Sequence, residues 1–243
     1  GTIDEVAVYG TALSESRIQA HYIAGRAYRD AVLDRSPVSY WRLGESSGTT
    51  ATDETGVNNG TYQNSPTLNQ PGAIAGNQNT AVTFDGSTGY VNVPDSASLD
   101  LGDQLTIEAW VKRAANGANH RIVSKGTGAY ALRLGSNNKL ELLKEWSSVI
   151  VGSTTTITDT NWHHVAATKN GATAKLYIDG VDVTGTVTNA TLVNTADNLA
   201  IGREQPSGTE DFNGTVDEVA LYNSALSATQ VKLHYDAGRD APR

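Results

Sequence analysis

The sequence predicts an all-β protein, a two-sheet antiparallel sandwich with a short C-terminal helix. Three observations carry that expectation. Short runs that alternate apolar and polar residues recur along most of the chain. Gly, Asn and Asp turn signals separate them, and helical spacing is confined to the short segments at the two ends.

Taken in order, the strand-like runs begin with Ser39–Leu43, Ala81–Phe84, Gly89–Val93 and Leu105–Lys112. Arg121–Ser124, Tyr130–Leu134, Lys139–Leu143, Val149–Val151, Trp162–Thr168, Ala174–Ile178 and Leu199–Gly202 follow. Asn170-Gly171 and Asp179-Gly180 are hairpin signals, because a type I′ turn needs residues that tolerate positive φ. Asn59-Gly60 and the stretch 64–79 read as loops. The last run, Gly214–Tyr222, passes through a turn into the helix. There Ser227 suits the N-cap, Val231 and Leu233 supply an apolar side, and Gly238 suits the C-cap. About a dozen strands with so little helix imply two curved sheets packed face to face.

The two ends of the chain repeat. At an offset of 213, Gly1–Arg26 and Gly214–Arg239 share fifteen of twenty-six residues. The simplest account is a tandem array. Gly1–Arg26 would be the last strand and helix of a preceding copy, and residues 27–243 one jelly-roll-sized domain whose repeat unit closes at Arg239. Ile3, Val6, Val8, Leu13 and Ile18 would then seek a surface. Packing on the chain's own domain and self-association through the slot of Gly214–Arg239 in a neighbour are the two expectations.

Composition excludes several classes. The chain has 243 residues, a net charge of −8 and no run of Lys or Arg, which argues against nucleic acid as a partner. No apolar stretch approaches membrane-spanning length, so no membrane insertion is expected. With no cysteine there is neither a disulfide framework nor a thiolate metal site. The chain also contains no methionine and reads as a piece of a longer protein. Its cysteine-free style points to a bacterial source, so the sequons at Asn59, Asn189 and Asn213 carry little weight.

Three stretches together resemble the laminin G-like domains of the concanavalin A-like lectin and glucanase jelly rolls. Phe84-Asp85-Gly86 leads to Tyr90-Val91 and then Leu105–Val111. Trp162–Ala166 is followed by Ala174–Gly180, and Gly214–Tyr222 closes with its helix. Tyr40–Glu45 and Asp53–Gly56 look like the opening strand and loop. The resemblance covers nearly all of residues 27–239. It implies a secreted or cell-surface module of a larger protein, often placed beside catalytic domains and often binding calcium and glycans.

Calcium needs several oxygen ligands, so acidic residues on polar loops are the signal. Asp217 opens the final strand, and Glu45 and Asp53 flank the loop after the first. If the terminal strands lie side by side, these three converge. The resemblance places a structural calcium where the last strand meets the N-terminal segment, hence at Asp217. Asp85 is a further candidate, with turn capping through its own backbone as the alternative; Asp53 is otherwise simply solvated. His163 and His164 are adjacent and face opposite ways on a strand, which suits structure better than metal binding.

A glycoside hydrolase on this fold needs carboxylates two apart on one strand face. Asp53-Glu54, Glu210-Asp211 and Asp217-Glu218 are adjacent, Glu141 and Glu145 are four apart, and Glu108 stands alone. Catalysis is therefore not expected. A glycan surface needs an aromatic platform with polar groups beside it. Trp146, in the polar context Lys144–Ser148, is the candidate, with Tyr130 and Arg133 nearby; the alternative packs Trp146 in the core like Trp110 and Trp162. The expected function is a non-catalytic, calcium-stabilised, carbohydrate-binding or adhesion module with a glycan or extracellular protein as partner. A purely structural spacer repeat is the rival.

Overall fold

Alternation along the central strands decides the architecture. On β7 (Gln104–Arg113), Leu105, Ile107, Ala109 and Val111 enter the core between the two sheets. Trp110, between them, belongs to a second apolar layer on the opposite face. The neighbouring β12 (His163–Asn170) sends Val165 and Ala167 inward and Ala166 outward. Period-two alternation thus builds two layers, and the outer one must be covered by something else.

The computed structural model describes residues 8–12 and 28–239. The proposed closing segment of a preceding copy therefore lies outside the described residues, apart from 8–12. The helix α1 (Tyr28–Leu33) precedes β1 (Ser39–Trp41), β2 (Thr50–Ala51), β3 (Gly60–Gln63), β4 (Thr67–Pro71), β5 (Thr80–Asp85) and β6 (Tyr90–Val93). After β7 come β8 (His120–Ser124), β9 (Tyr130–Leu134), β10 (Lys139–Lys144) and β11 (Ser148–Thr156). Beyond β12 lie β13 (Thr173–Ile178), β14 (Val181–Asp182), β15 (Thr184–Val187), β16 (Leu199–Ile201), β17 (Asn213–Tyr222) and α2 (Ala228–Arg239).

The strands form two antiparallel sheets. One runs β14-β13-β12-β7-β17-β5-β4, with β1 also paired to β17; the other runs β15-β11-β10-β9-β8-β16-β6-β3-β2. Asp179 and Gly180 both have positive φ in the two-residue turn between β13 and β14, as their sequence required.

Helices α1 and α2 cover the outer face of the first sheet, where Tyr28, Val32, Trp110, Tyr222, Val231 and Leu233 form the second apolar cluster. Ser227 caps α2 as expected. Its hydroxyl accepts from the Gln230 amide at 3.3 Å while its own amide donates to Gln230 Oε1 at 2.8 Å, a reciprocal capping box. Gly238 is a correction. It lies inside α2, and a Cβ there would come within 2.5 Å of Trp110 Cζ2, so glycine is required by helix-to-sheet contact rather than by a C-cap.

No sequence signal marked α1, the edge strands β2, β4, β14 and β15, or β3 beside β2. Short, polar or proline-containing edge strands carry little alternation to read. The stretch 64–79, read as a loop, contains β4.

Candidate functional site

Among the described residues no helix covers the outer face of the second sheet, and its registers line up two rows of side chains there. Arg121 on β8 pairs with Arg133 on β9, which pairs with Glu141 on β10. Ser124, Ala131, Leu143 and Val149 form the adjacent row across β8 to β11. Residues opposite one another on paired strands share a face.

The connection 203–211, between β16 and β17, folds over this face. Gln205 N donates to Ser124 Oγ at 3.1 Å, and Arg121 N donates to Glu210 O at 3.1 Å. Buried Arg121 is the hub: it gives Glu145 two bonds of 2.6 and 2.9 Å, reaches Glu204 at 3.4 Å and also donates to Glu210. Arg133 donates to Glu141 at 2.8 Å and to Glu210 at 3.2 Å. Burial pushes the Glu204 carboxyl up. Bonds from Ser207 and Thr209, with the Arg121 charge, outweigh that and hold it below its usual range.

Trp146 sits in the turn between β10 and β11, beside this network. It is 52 % exposed, and its φ is +59°. A bulky residue in the left-handed region costs on the order of 1–3 kcal/mol, and such strain clusters at functional sites. The indole is pinned by Nε1 donating to Gln205 O at 2.8 Å. Trp146, Leu143, Val149, Arg121, Arg133 and Glu204 line a groove of about 250 Å³. Of the sequence candidates, Trp146 and Arg133 meet here. Tyr130 does not: it is buried in the main core, and its hydroxyl donates to Leu99 O at 2.9 Å. That correction follows from register, since Tyr130 pairs with Lys144 and lies off the Ala131–Leu143 face.

Another cavity, of about 330 Å³, opens where β12 and β13 meet the start of α2. Its ring, Tyr177, is buried and its Lys175 is paired with Asp182 at 2.6 Å, so it offers no exposed platform.

The acidic candidates separate. Asp85 accepts from the amides of Ser87 (2.9 Å), Thr88 (2.9 Å) and Gly89 (3.2 Å) and from two hydroxyls. Led by the Thr88 amide, these bonds hold its carboxyl well below the usual range. Asp53 accepts from the amides of Tyr40 (2.9 Å), Thr55 (2.9 Å) and Asn58 (2.8 Å), and Glu45 from Thr52 N (2.8 Å) and Tyr62 Oη (2.7 Å). Asp85 fastens its own turn, while Asp53 ties its loop to β1 and Glu45 ties its loop to β3, so the expected convergence of Glu45 and Asp53 on Asp217 does not occur. Among the described residues, no three acidic or histidine side chains come together in a metal-holding arrangement.

What joins Asp217 instead is Glu218. Alternation on a regular strand would point them apart, but the register between β17 and β7 shifts after Asp217 and Glu218 takes φ +53°. This bulge turns both buried carboxylates toward one place. Asn79 Nδ2 lies 3.4 Å from Asp217 Oδ1, 3.2 Å from Glu218 Oε1, 3.3 Å from Arg42 O and 3.0 Å from Thr80 O. Ala73 N donates to Asp217 at 2.8 Å, while Arg42 (3.1 Å) and the Tyr40 hydroxyl serve Glu218. Burial, then the Glu218 charge, raises the Asp217 carboxyl well above its usual range. Two carboxylates and two main-chain carbonyls surround the Asn79 amide nitrogen, a set of oxygens whose chemistry suits a hard cation only where that amide moves aside. The bulge carried no signal in the sequence beyond the Asp-Glu pair itself.

A third buried cluster is structural. Glu108 accepts from Tyr222 Oη at 2.5 Å and meets His234 Nδ1 at 2.9 Å, with His164 Nε2 at 3.3 Å. It ties β7, β12 and β17 to α2. His163 faces the other way, toward Asp179 at 2.7 Å, as adjacent strand residues must.

Comparison with known proteins fits this fold. Residues 84–232, more than half of the chain, match the laminin G type-3 family model, described as the concanavalin A-like lectin/glucanases superfamily. Adhesion G-protein coupled receptor V1 of Danio rerio is 26 % identical over 174 residues, which is 63 % of this chain and 3 % of the receptor. The chain thus spans a small fraction of that relative. Domain 4 of AbnA, an extracellular arabinanase of Geobacillus stearothermophilus in complex with arabinotriose, superposes with a TM-score of 0.61. It is 18 % identical, over 84 % of this chain and 98 % of that one. Trypanosoma rangeli sialidase gives a TM-score of 0.63 at 16 % identity, covering 90 % of this chain and 37 % of the sialidase. At such identities the likeness to these structures is one of fold. The chain belongs to the laminin G-like branch of the concanavalin A-like lectin/glucanases superfamily.

Proposed function

We propose that this chain is a non-catalytic, carbohydrate-binding or adhesion module of a larger secreted or surface protein, with Trp146 as its platform. The observation that carries the reading is an exposed tryptophan, held at positive φ, beside a polar groove. An aromatic face can stack on the apolar face of a sugar ring while neighbouring polar groups read its hydroxyls. Family membership supports the lectin-like reading and the extracellular setting. A non-catalytic role fits the carboxylates: Asp217 and Glu218 converge but are fully buried, and Glu145, Glu204 and Glu210 are engaged by Arg121. Calcium at Asp217 and Glu218, with the Arg42 and Thr80 carbonyls, would take the place of the Asn79 amide and neutralise a buried pair that one arginine leaves in excess.

A structural spacer in a tandem array is the second reading. The repeat of Gly214–Arg239 at residues 1–26 favours it. A glycan array at defined calcium separates the two. Binding by the full chain that Trp146→Ala removes supports the module. No binding to any glycan, with the fold intact, leaves the spacer.

A further inference from the structure

The contacts that hold the closing segment Gly214–Arg239 are ones its counterpart at the other end of the chain is equipped to make. Gly214 has φ +145°, and a Cβ there would run into Lys112 O and stand 2.9 Å from Arg113 Cα. Asp217 accepts from the Ala73 amide at 2.8 Å, and Glu218 from Arg42 at 3.1 Å. Further on, the Tyr222 hydroxyl and His234 both meet Glu108, at 2.5 and 2.9 Å. Tyr235 stacks on Trp110 with ring centroids 5.9 Å apart, and Gly238 lets α2 lie against the same ring. At the offset of 213 these residues recur as Gly1, Asp4, Glu5, Tyr9, His21, Tyr22 and Gly25, and the cap Ser227 as Ser14.

The eleven positions that differ follow the same logic. Val216, Leu221, Val231 and Leu233 are buried, and their counterparts Ile3, Val8, Ile18 and Ala20 are also apolar. The other seven differences fall where Gly214–Arg239 is exposed or partly exposed. What faces the body of the domain is kept, and what faces water varies. Val8, within the described residues, is 94 % exposed, whereas its counterpart Leu221 is fully buried. Docking would remove such apolar surface from water.

We infer that residues 1–26 dock into the body of a second laminin G-like domain of this kind, taking the place that Gly214–Arg239 holds in this one. The partner is another copy. Only Ala27 separates Arg26 from Tyr28 at the head of α1, so a chain leaving a filled slot enters the next domain at once. Such contacts run head to tail, each copy offering one segment and one slot. In the wild-type chain the covalently attached Gly214–Arg239 holds the slot, because its effective concentration exceeds that of a free copy. The inference rests on the repeat and the closing contacts and is independent of the role of Trp146.

The test vacates the slot within the full chain. Gly214→Val and Gly238→Val together set one side chain against strand backbone and another against the buried Trp110 ring, so the chain's own segment no longer fits. Light scattering should find the wild type monomeric. The double variant should form assemblies of two or more copies that grow with concentration and keep a cooperative thermal melt. Adding Gly25→Val gives residues 1–26 the same obstacle and should abolish both the assemblies and the melt. A double variant that stays a folded monomer overturns the inference. So does loss of the fold whatever residue stands at position 25, and so do assemblies, of wild type or variant, that survive Gly25→Val.

Discussion

The two outer faces of this sandwich use similar residues to different ends. On the first sheet, Trp110 lies under α2 with Tyr28 and Tyr235 around it, their ring centroids 6.4 and 5.9 Å away. On the second sheet, Trp146 stands in a turn with half its surface exposed. Each face also carries a buried carboxylate network. Glu108 fastens the strands to α2 through His234, whereas Arg121 fastens a connecting loop through Glu204 and Glu210. A sealed face turns aromatic and charged residues into cohesion. An open face leaves the same types available to a ligand.

Substituting the two tryptophans should separate these roles. Trp110→Ala removes a ring packed beneath a helix and should cost about 3–5 kcal/mol, read as a large fall in Tm. Loss of the α2 signal by hydrogen exchange should accompany it. A Tm within a degree or two of the wild type would show that the helix layer adds little.

A smaller effect is expected at the Asp217-Glu218 bulge, and its sign is definite. Burial raises the folded-state Asp217 carboxyl above its unfolded value, so the stability tied to its proton is present at acid pH. That stability is lost as pH rises through the raised folded value. In EDTA, Tm should therefore decline as pH climbs from the ordinary aspartate range toward neutrality. Calcium should flatten this slope and raise Tm near neutrality by binding only the folded state. Asp217→Asn should flatten the slope without metal and abolish the calcium gain. A Tm indifferent to calcium and EDTA in the wild type would remove the cation from the account.

The smallest change should come from Trp146→Gly. Glycine relieves the positive-φ strain but loses the bond to Gln205 and loosens the unfolded chain, so stability should shift by no more than about 1 kcal/mol. Saccharide binding should nevertheless vanish. A loss comparable with that of Trp110→Ala would instead mark Trp146 as a packing residue.

The sequence made the sandwich legible wherever alternation was regular. Leu105, Ile107, Ala109 and Val111 on β7 needed no structure to assign, nor did the Asp179-Gly180 hairpin or the Ser227 cap. The site was less legible because it depends on departures from regularity. Residue spacing sets Asp217 and Glu218 on opposite faces until a bulge brings them together. Glu204 and Glu210 belong to a connection whose path over β8 to β10 is fixed by tertiary bonds to Arg121 and Ser124. Trp146 was visible as a polar-context tryptophan, but its exposure depends on a backbone conformation that tryptophan rarely adopts.

The open face around Trp146 as the ligand surface can be tested through the tryptophans themselves. The chain has four tryptophans, and of these Trp41 and Trp110 are buried and Trp162 is partly covered. Their indole N–H signals can therefore be followed separately by two-dimensional NMR while a neutral oligosaccharide such as arabinotriose or galactotriose is added. A ligand on this face should give a saturable shift of the Trp146 indole, with the Trp41 and Trp110 signals unmoved. Saturable binding that shifts another indole and leaves Trp146 in place would contradict it.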